Sequence, residues 1–206
     1  MKRKNLLTLI ITCLISLSLT PVQDCAVKWV YDGDTILLQT GQRVRYVGID
    51  APEIGHGQEK SEYMALASKA LNRRLAKGTR VRLEFDRVKR DRHGRLLAYV
   101  YLENGDMVNA LLVRKGLAHV MAQKPNLKYF SLLLENQRKA MKENIGIWGR
   151  TPRPLERFYR GNKESCRFHR PSCPFAKDIH PSHLIIFDKR RDALWEGYSP
   201  CRRCKP

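Results

Sequence analysis

Ala26-Val-Lys-Trp-Val-Tyr-Asp-Gly-Asp-Thr-Ile-Leu-Leu-Gln-Thr-Gly-Gln-Arg-Val-Arg-Tyr-Val-Gly-Ile-Asp50 reads as three strands of one meander. The first is 26–31, the second 35–40 and the third 43–49. Asp32-Gly33-Asp34 and Gly41-Gln42 turn the chain between them. β-branched and aromatic residues fill the runs, and Gly and Asp punctuate them, as short antiparallel connections require. Further along, Met64, Leu66, Ala67, Ala70, Leu71 and Leu75 recur at helical spacing, so 61–75 is a predicted amphipathic helix closed by Gly78. In 79–85, Val81, Leu83 and Phe85 alternate with Arg80, Arg82 and Glu84, the period of a half-buried strand. A fifth strand is predicted at 96–102, a short helix at 107–115 before Gly116, and a longer helix at 127–144. Five strands with three helices interleaved predict an α+β, mainly β fold: a small closed barrel of the OB type.

The charge balance bounds the partner. Among 206 residues, 39 Lys and Arg face 20 Asp and Glu, a net charge of +19. The excess is present on both sides of residue 150, with 23 cations against 13 acids in 26–150 and 13 against 6 in 151–206. Such a surface favours a polyanion, nucleic acid or anionic lipid, without separating an enzyme from a passive binder. Lys2-Arg3-Lys4 leads an apolar run, Leu6–Leu19, that is short of the ~20 residues of a membrane span. Residues 1–24 therefore predict a signal for export to the periplasm or the medium. No small-x-small cleavage site comes after it, so retention as an N-terminal membrane anchor stays open. Pro152 and Pro154 divide a 25–149 domain from a 161–206 module through a 150–160 linker. Cys13 lies in the leader; Cys25, Cys166, Cys173, Cys201 and Cys204 remain, an odd number clustered toward the end.

Candidate chemistry lies at the strand ends. Asp32 and Asp34 flank Gly33, Asp50 ends the third strand, and Glu53 comes after Ala51-Pro52. Asp34 and Asp50, on adjacent strands, can converge on one rim and hold a hard, oxygen-seeking cation. Arg45 and Arg95 add forked donors that match phosphate oxygens and keep their charge. Taken singly, each has an ordinary reading: Asp-Gly-Asp is commonly just a turn, and a strand arginine commonly just faces water.

Three segments carry a resemblance. Val30-Tyr-Asp-Gly-Asp-Thr35, Arg45-Tyr-Val-Gly-Ile-Asp-Ala-Pro-Glu53 and Asp91-Arg-His-Gly-Arg95 resemble the signature segments of the staphylococcal nuclease family. Residues 107–118 and Asn144-Ile-Gly-Ile-Trp148 extend the similarity in the family's order. The resemblance implies a Ca²⁺-dependent nuclease for DNA and RNA on a five-stranded OB barrel with three helices. It would act as an endonuclease with exonuclease capacity, break the 5′ P–O bond and leave 3′-phosphates. By motif position it makes Asp34 and Asp50 the side-chain calcium ligands and Ala51 a ligand through its backbone carbonyl. Asp32 would support the metal from behind its ligands, and Glu53 would orient or deprotonate the attacking water. Arg45 and Arg95 would neutralise charge in the transition state. Arg92 and His93 stand where the family has a lysine and a tyrosine for substrate phosphate. In 120–126 the family's base-stacking tyrosines are absent, and the segment is one residue short.

The tail has its own pattern. His169-x-x-x-Cys173 and Cys201-x-x-Cys204 form two chelating clips suited to tetrahedral zinc, with disulfide pairing as the alternative in an oxidising compartment. Phe168-His-Arg-Pro-Ser-Cys173 and Gly197-Tyr-Ser-Pro-Cys-Arg-Arg-Cys204 resemble the zinc module of the Ada DNA-methyl-repair proteins. That resemblance implies Zn²⁺. It argues against methyl transfer, because His169 takes the place of the methyl-accepting cysteine. The expected partners are single-stranded or frayed DNA and RNA, with no protein partner, and the expected state is a monomer. The basic tail would tether the enzyme to DNA. The rival readings are a non-catalytic nucleic-acid-binding OB protein and, more weakly, a DNA-repair regulator built on the tail. Asp34, Arg45, Asp50, Glu53 and Arg95 occurring together speak against the first, and the leader against the second.

Overall fold

The computed structural model describes residues 23–151 and 154–206. Residues 1–22 of the predicted export segment, Cys13 among them, lie outside the described residues, as do Pro152 and Arg153 of the predicted linker. Among the described residues no helix is long and apolar enough to cross a membrane.

The meander forms as predicted. β1 (Gln23–Val30), β2 (Thr35–Leu38) and β3 (Arg43–Tyr46) pair antiparallel in sequence order. β4 (Ile49–Asp50) is a two-residue continuation, and α1 (Ala65–Ala76) comes next. β5 (Arg80–Arg90) and β6 (Leu96–Tyr101) close the barrel in the order β1-β2-β3-β6-β5, with β3 and β6 parallel. α2 (Val108–Arg114), β7 (His119–Val120), which pairs with β4, and α3 (Phe130–Lys142) complete this part. Alternate residues Val27, Ile36, Leu38, Val44, Tyr46, Leu83, Ala98 and Val100 fill the interior with almost no exposure. Each large apolar side chain among them contributes ~1.5–3 kcal/mol by leaving water.

Two helices begin later than the periodicity predicts, for the same reason. Residues 61–64 stay out of α1 because the Glu62 backbone N–H donates to Glu53 O at 2.9 Å, and Glu62 Oε2 accepts the Glu53 N–H at 3.0 Å. Met64 then enters the helix from the left-handed region, at φ 66°. Residues 127–129 stay out of α3 because the Lys128 N–H bonds Asp86 Oδ2, while its ammonium reaches Glu84 on β5. In both, side-chain partners distant in sequence outcompete the helix's first turn. β5 also runs past its predicted end: the register shifts between Phe85 and Arg90, and the exposed strand leads to the 91–95 turn.

The chain after the barrel forms β8 (Tyr159–Asn162), β9 (Arg167–His169), α4 (Pro174–Lys177), β10 (Leu184–Phe187), α5 (Arg190–Trp195) and β11 (Ser199–Pro200). The four strands make one sheet in the order β10-β8-β9-β11. This part does not stand alone. Ala140 and Met141 of α3 and Trp148 share one core with Tyr159, Phe168, Phe187, Ala193 and Leu194. Buried Gln137 stitches the same seam: its Oε1 accepts the Val120 N–H at 2.7 Å, and its Nε2 donates to Leu194 O at 2.6 Å. Each bond satisfies a main-chain group that would be costly to leave unpaired. Where α2 and α3 run out, Gly116 and Gly146 touch backbone to backbone. A Cβ on Gly146 would lie 2.0 Å from Gly116 O, and the Ile147 N–H donates to that oxygen at 2.7 Å. Both glycines have positive φ.

Candidate active site and metal centre

Asp34 and Asp50 meet at the rim where the β1–β2 turn faces the end of β4. The turn is set by Asp32, whose Oδ1 accepts the Asp34 N–H at 2.9 Å. α1 braces it from behind: Asn72 Nδ2 donates to Asp32 O at 3.0 Å, and Asn72 Oδ1 accepts the buried Tyr46 hydroxyl. Gly33 is required there, since a Cβ would fall 2.0 Å from Ser68 Oγ on α1. Asp34 and Asp50 are both nearly buried, and Arg45 from β3 bridges them. Its Nη1 lies 2.8 Å from Asp34 Oδ2 and its Nη2 2.7 Å from Asp50 Oδ1. The Ala51 N–H donates to Asp34 Oδ2 at 2.7 Å, holding residue 51 against the pair.

One arginine does not balance two buried carboxylates equally. Burial pushes the Asp34 carboxyl up to about 7, against the attraction of Arg45. Burial acts the same way on Asp50, but His119, Arg45 and Arg202 outweigh it and hold that carboxyl below the usual range. The two neighbours thus move in opposite directions. The physical cause is that Asp32 and Asp50 add to burial at Asp34, with Arg45 opposing them, whereas His119, Arg45 and Arg202 all bear on Asp50. The raised Asp34 carboxyl, with that of Asp50 in reach, is a strain that a hard divalent ion would relieve.

Glu53 stands on the ridge between two cavities. One, of about 220 Å³, is lined by Glu53, Arg95, Asp32, Thr35, Tyr31 and Arg43 among others. Arg95 is aimed by Asp91, which accepts its Nε–H at 2.8 Å and its backbone N–H at 3.0 Å. The Glu53 carboxylate is half-exposed, and its pKa is raised by burial. Arg92 and His93 sit exposed on the turn beside Arg95, 3.2 Å from one another, and line neither cavity. The structure brings Asp34, Arg45 and Asp50 into direct contact and sets Glu53 and Arg95 around one hollow. Arg92 and His93 remain outside it.

The tail's four predicted ligands also converge. The donor atoms of His169, Cys173, Cys201 and Cys204 all lie within 4.8 Å of one another. Cys173 Sγ is 3.6 Å from His169 Nδ1. Donors around tetrahedral zinc at ~2.0–2.3 Å stand about 3.5–3.8 Å apart, so the set fits zinc. Burial lowers the His169 pKa, favouring the neutral imidazole that a metal needs. Burial raises the Cys204 thiol to about 12, and Cys173 and Cys201 push it the same way; a cation among the sulfurs would reverse that crowding. All five described cysteines are free thiols, so the disulfide alternative is not realised among them. Cys25 is buried in the barrel, while Cys166, His180 and His183 stand outside the cluster.

Sequence reasoning missed Asp91 as the anchor of Arg95, and His119, whose Nε2 is 3.8 Å from Asp50 Oδ2. It also missed Arg202, which reaches Asp50 from the tail. Asp91 had a local signal, four residues before Arg95, whereas His119 and Arg202 had none.

The profile described as staphylococcal nuclease homologue matches residues 43–150 of this chain. The chain belongs to that family of nucleases. A second profile, the metal binding domain of Ada, matches residues 146–206. A thermonuclease of Staphylococcus intermedius is 39% identical over 127 residues, which cover 60% of this chain and 75% of the relative. A thermonuclease of Staphylococcus hyicus is 34% identical over 122 residues, 58% of this chain and 72% of that protein. Endonuclease YncB of Bacillus subtilis is 33% identical over 135 residues, 63% and 64% of the two chains. The family membership accords with the closed barrel, and the Ada match with the His/Cys cluster.

Proposed function

We propose that this nuclease-family protein is a calcium-dependent phosphodiesterase that cuts within DNA and RNA and leaves 3′-phosphates. The observation that carries the reading is Arg45 bridging buried Asp34 and Asp50, with Glu53 on the same rim. Asp34, Asp50 and the Ala51 carbonyl would hold calcium, with Asp32 fixing Asp34 from the turn. Calcium, when bound, supplies positive charge to the phosphate and its attacking water. Glu53 takes the proton of that water as its oxygen bonds to phosphorus. The bond from phosphorus to the 5′ oxygen breaks, and the departing oxygen takes a proton from solvent. Arg45 and Arg95 donate to the phosphate oxygens as charge builds on them. Arg92 and His93, exposed beside Arg95, are left to contact an outer phosphate. Zinc at His169, Cys173, Cys201 and Cys204 is structural. We further infer, from residues 1–24, that the protein acts after export, released or held by that segment as an anchor; a monomer is the proposed state.

Digestion of single-stranded DNA and of RNA by the purified protein tests this. The assay compares added calcium with calcium-free buffer and maps the product ends, with zinc content measured in parallel. Cleavage only with calcium and 3′-phosphate ends are expected. Tight nucleic-acid binding without cleavage in calcium would instead favour the binding-only OB protein.

A further inference from the structure

The two arginines between Cys201 and Cys204 have different surroundings. Arg203 lies over the Phe175 ring, 5.4 Å from its centre. Arg202 reaches the barrel, with Nη2 2.5 Å from Asp50 Oδ1 and 3.4 Å from Glu53 Oε1. One residue past the metal cluster, Lys205 Nζ bonds Glu62 Oε1 at 2.8 Å, and Glu62 in turn holds the backbone of Glu53. The metal-binding knuckle is therefore fastened to the loop that carries Glu53. Between knuckle and barrel lies a cleft of about 470 Å³, lined by Asp50, Glu53, Tyr63, Arg150, Arg202 and Lys205 among others. Tyr63 is half-exposed, and Arg150 stands over its ring at 5.3 Å.

As an ion pair the contact joins unlike partners. The Arg202 side chain is 57% exposed although that of Asp50 is only 10% exposed, so the arginine keeps access to water while it helps to hold the Asp50 carboxyl low. Asp50 already has Arg45. As a surface for a polynucleotide the arrangement is coherent. Cations for phosphates and an accessible aromatic face for a base, set beside the carboxylates of the cleavage centre, are what a single strand needs. Arg202 is exposed enough to exchange Asp50 for a phosphate, and its forked donors suit two phosphate oxygens. Cys201 and Cys204 on either side fix its backbone.

We propose that this cleft is a second subsite for the nucleic-acid strand. In it Arg202 grips the phosphate next to the one that is cut, and Tyr63 stacks on a base. The subsite deepens the nuclease reading and rests on it for the position of the cut. The metal-binding tail thus helps to form the site, where the sequence suggested only a tether.

Matched variants of the full, zinc-loaded chain test the proposal. Arg202→Gln and Arg203→Gln remove the same charge from the same knuckle, but only Arg202 lines the cleft. Binding of a short fluorescent single-stranded DNA is read by anisotropy in calcium-free buffer over a range of salt. Cleavage is read at saturating and limiting calcium, and zinc content is read on every variant. Arg202→Gln should bind about tenfold more weakly, the size of one lost charge-assisted bond. Its slope of log affinity against log salt should shrink by about 0.7. Arg203→Gln should match the parent. Tyr63→Ala, remote in sequence from the cysteines, should lose about tenfold by itself through lost stacking. Equal losses in the two arginine variants would reduce the effect to bulk charge and overturn the subsite. So would an Arg202→Gln protein that binds like the parent and needs less calcium, since Arg202 would then be a latch on Asp50. A parent that binds but never cleaves would overturn the proposed reaction, and the binding comparison would still judge the cleft.

Discussion

Arg45 sets one arm of its guanidinium against Asp34 at 2.8 Å and donates the other to Asp50 at 2.7 Å, with all three side chains at most a tenth exposed. Removing it leaves two buried carboxylates facing each other. Arg45→Met should cost about 3–5 kcal/mol of stability in calcium-free buffer, as losing one partner of a buried ion pair does. Added calcium should recover part of that loss. Urea unfolding with and without calcium measures both; a loss unchanged by calcium would dissociate the ion from this pair.

Glu53 and Arg95 face the smaller hollow and do little for the fold. Glu53→Gln and Arg95→Ala should therefore each lower kcat by about a hundredfold or more while KM changes little, the signature of contacts made in the transition state. Steady-state kinetics at saturating calcium decide. Turnover near the parental value in either variant removes that residue from the mechanism.

Asp91 should matter through Arg95. Asp91→Ala frees the guanidinium, so turnover should fall about tenfold with little change in folding, and Asp91→Glu should restore part of it. Burial works to raise the Asp91 carboxyl, but its bonds from Arg95 and from the 93 and 95 backbone hold it below the ordinary value. A depressed carboxyl contributes stability that is fully present above the unfolded pKa of ~3.9 and is lost as pH falls through the folded value. The 91–95 turn should therefore keep its amide protection at pH 5 and lose it only below about pH 4. Hydrogen exchange at these residues measures it, and earlier loss would contradict the bond.

Zinc removal should be felt in the barrel. Cys201→Ser with Cys204→Ser should release about one zinc per chain. Because the tail shares its core with Ala140, Met141 and Trp148, unfolding of α3 should shift as well. Differential scanning calorimetry separates the outcomes: a second transition for the tail, with the barrel's unmoved, would mean two independent units.

The barrel was legible because its signals are local. Alternation in 35–46 and 80–85 and the glycine and aspartate turns marked the strands and the opening meander, and five such strands predicted a closed barrel, but not the parallel β3–β6 pairing that closes it. The helix starts were not, because Glu62 and Lys128 bind partners on other segments and draw their neighbours out of the first turn. A two-residue ladder such as β4 with β7 is too short to show a period. Of the site, Asp34, Arg45 and Asp50 could be placed together because they lie on neighbouring strands. Arg202 meets Asp50 across 152 positions of sequence, and no spacing rule reaches that far. The His169, Cys173, Cys201 and Cys204 cluster was visible as paired clips, but the seam through Gln137 was hidden, since a glutamine in a helix ordinarily reads as solvent-facing.

The contact between Gly116 and Gly146 has a bearing on how such proteins are assembled. With both backbones touching, the chain is pinned as it leaves the barrel, and Ile147, Trp148 and Arg150 just beyond border the cleft beside Asp50 and Glu53. The barrel therefore acts as a socket with a preset exit bearing. A different appendage grafted after this glycine pair would set out from the same doorstep beside Asp50 and Glu53, so under the proposed reaction exchanging one appendage for another would change which strands reach them.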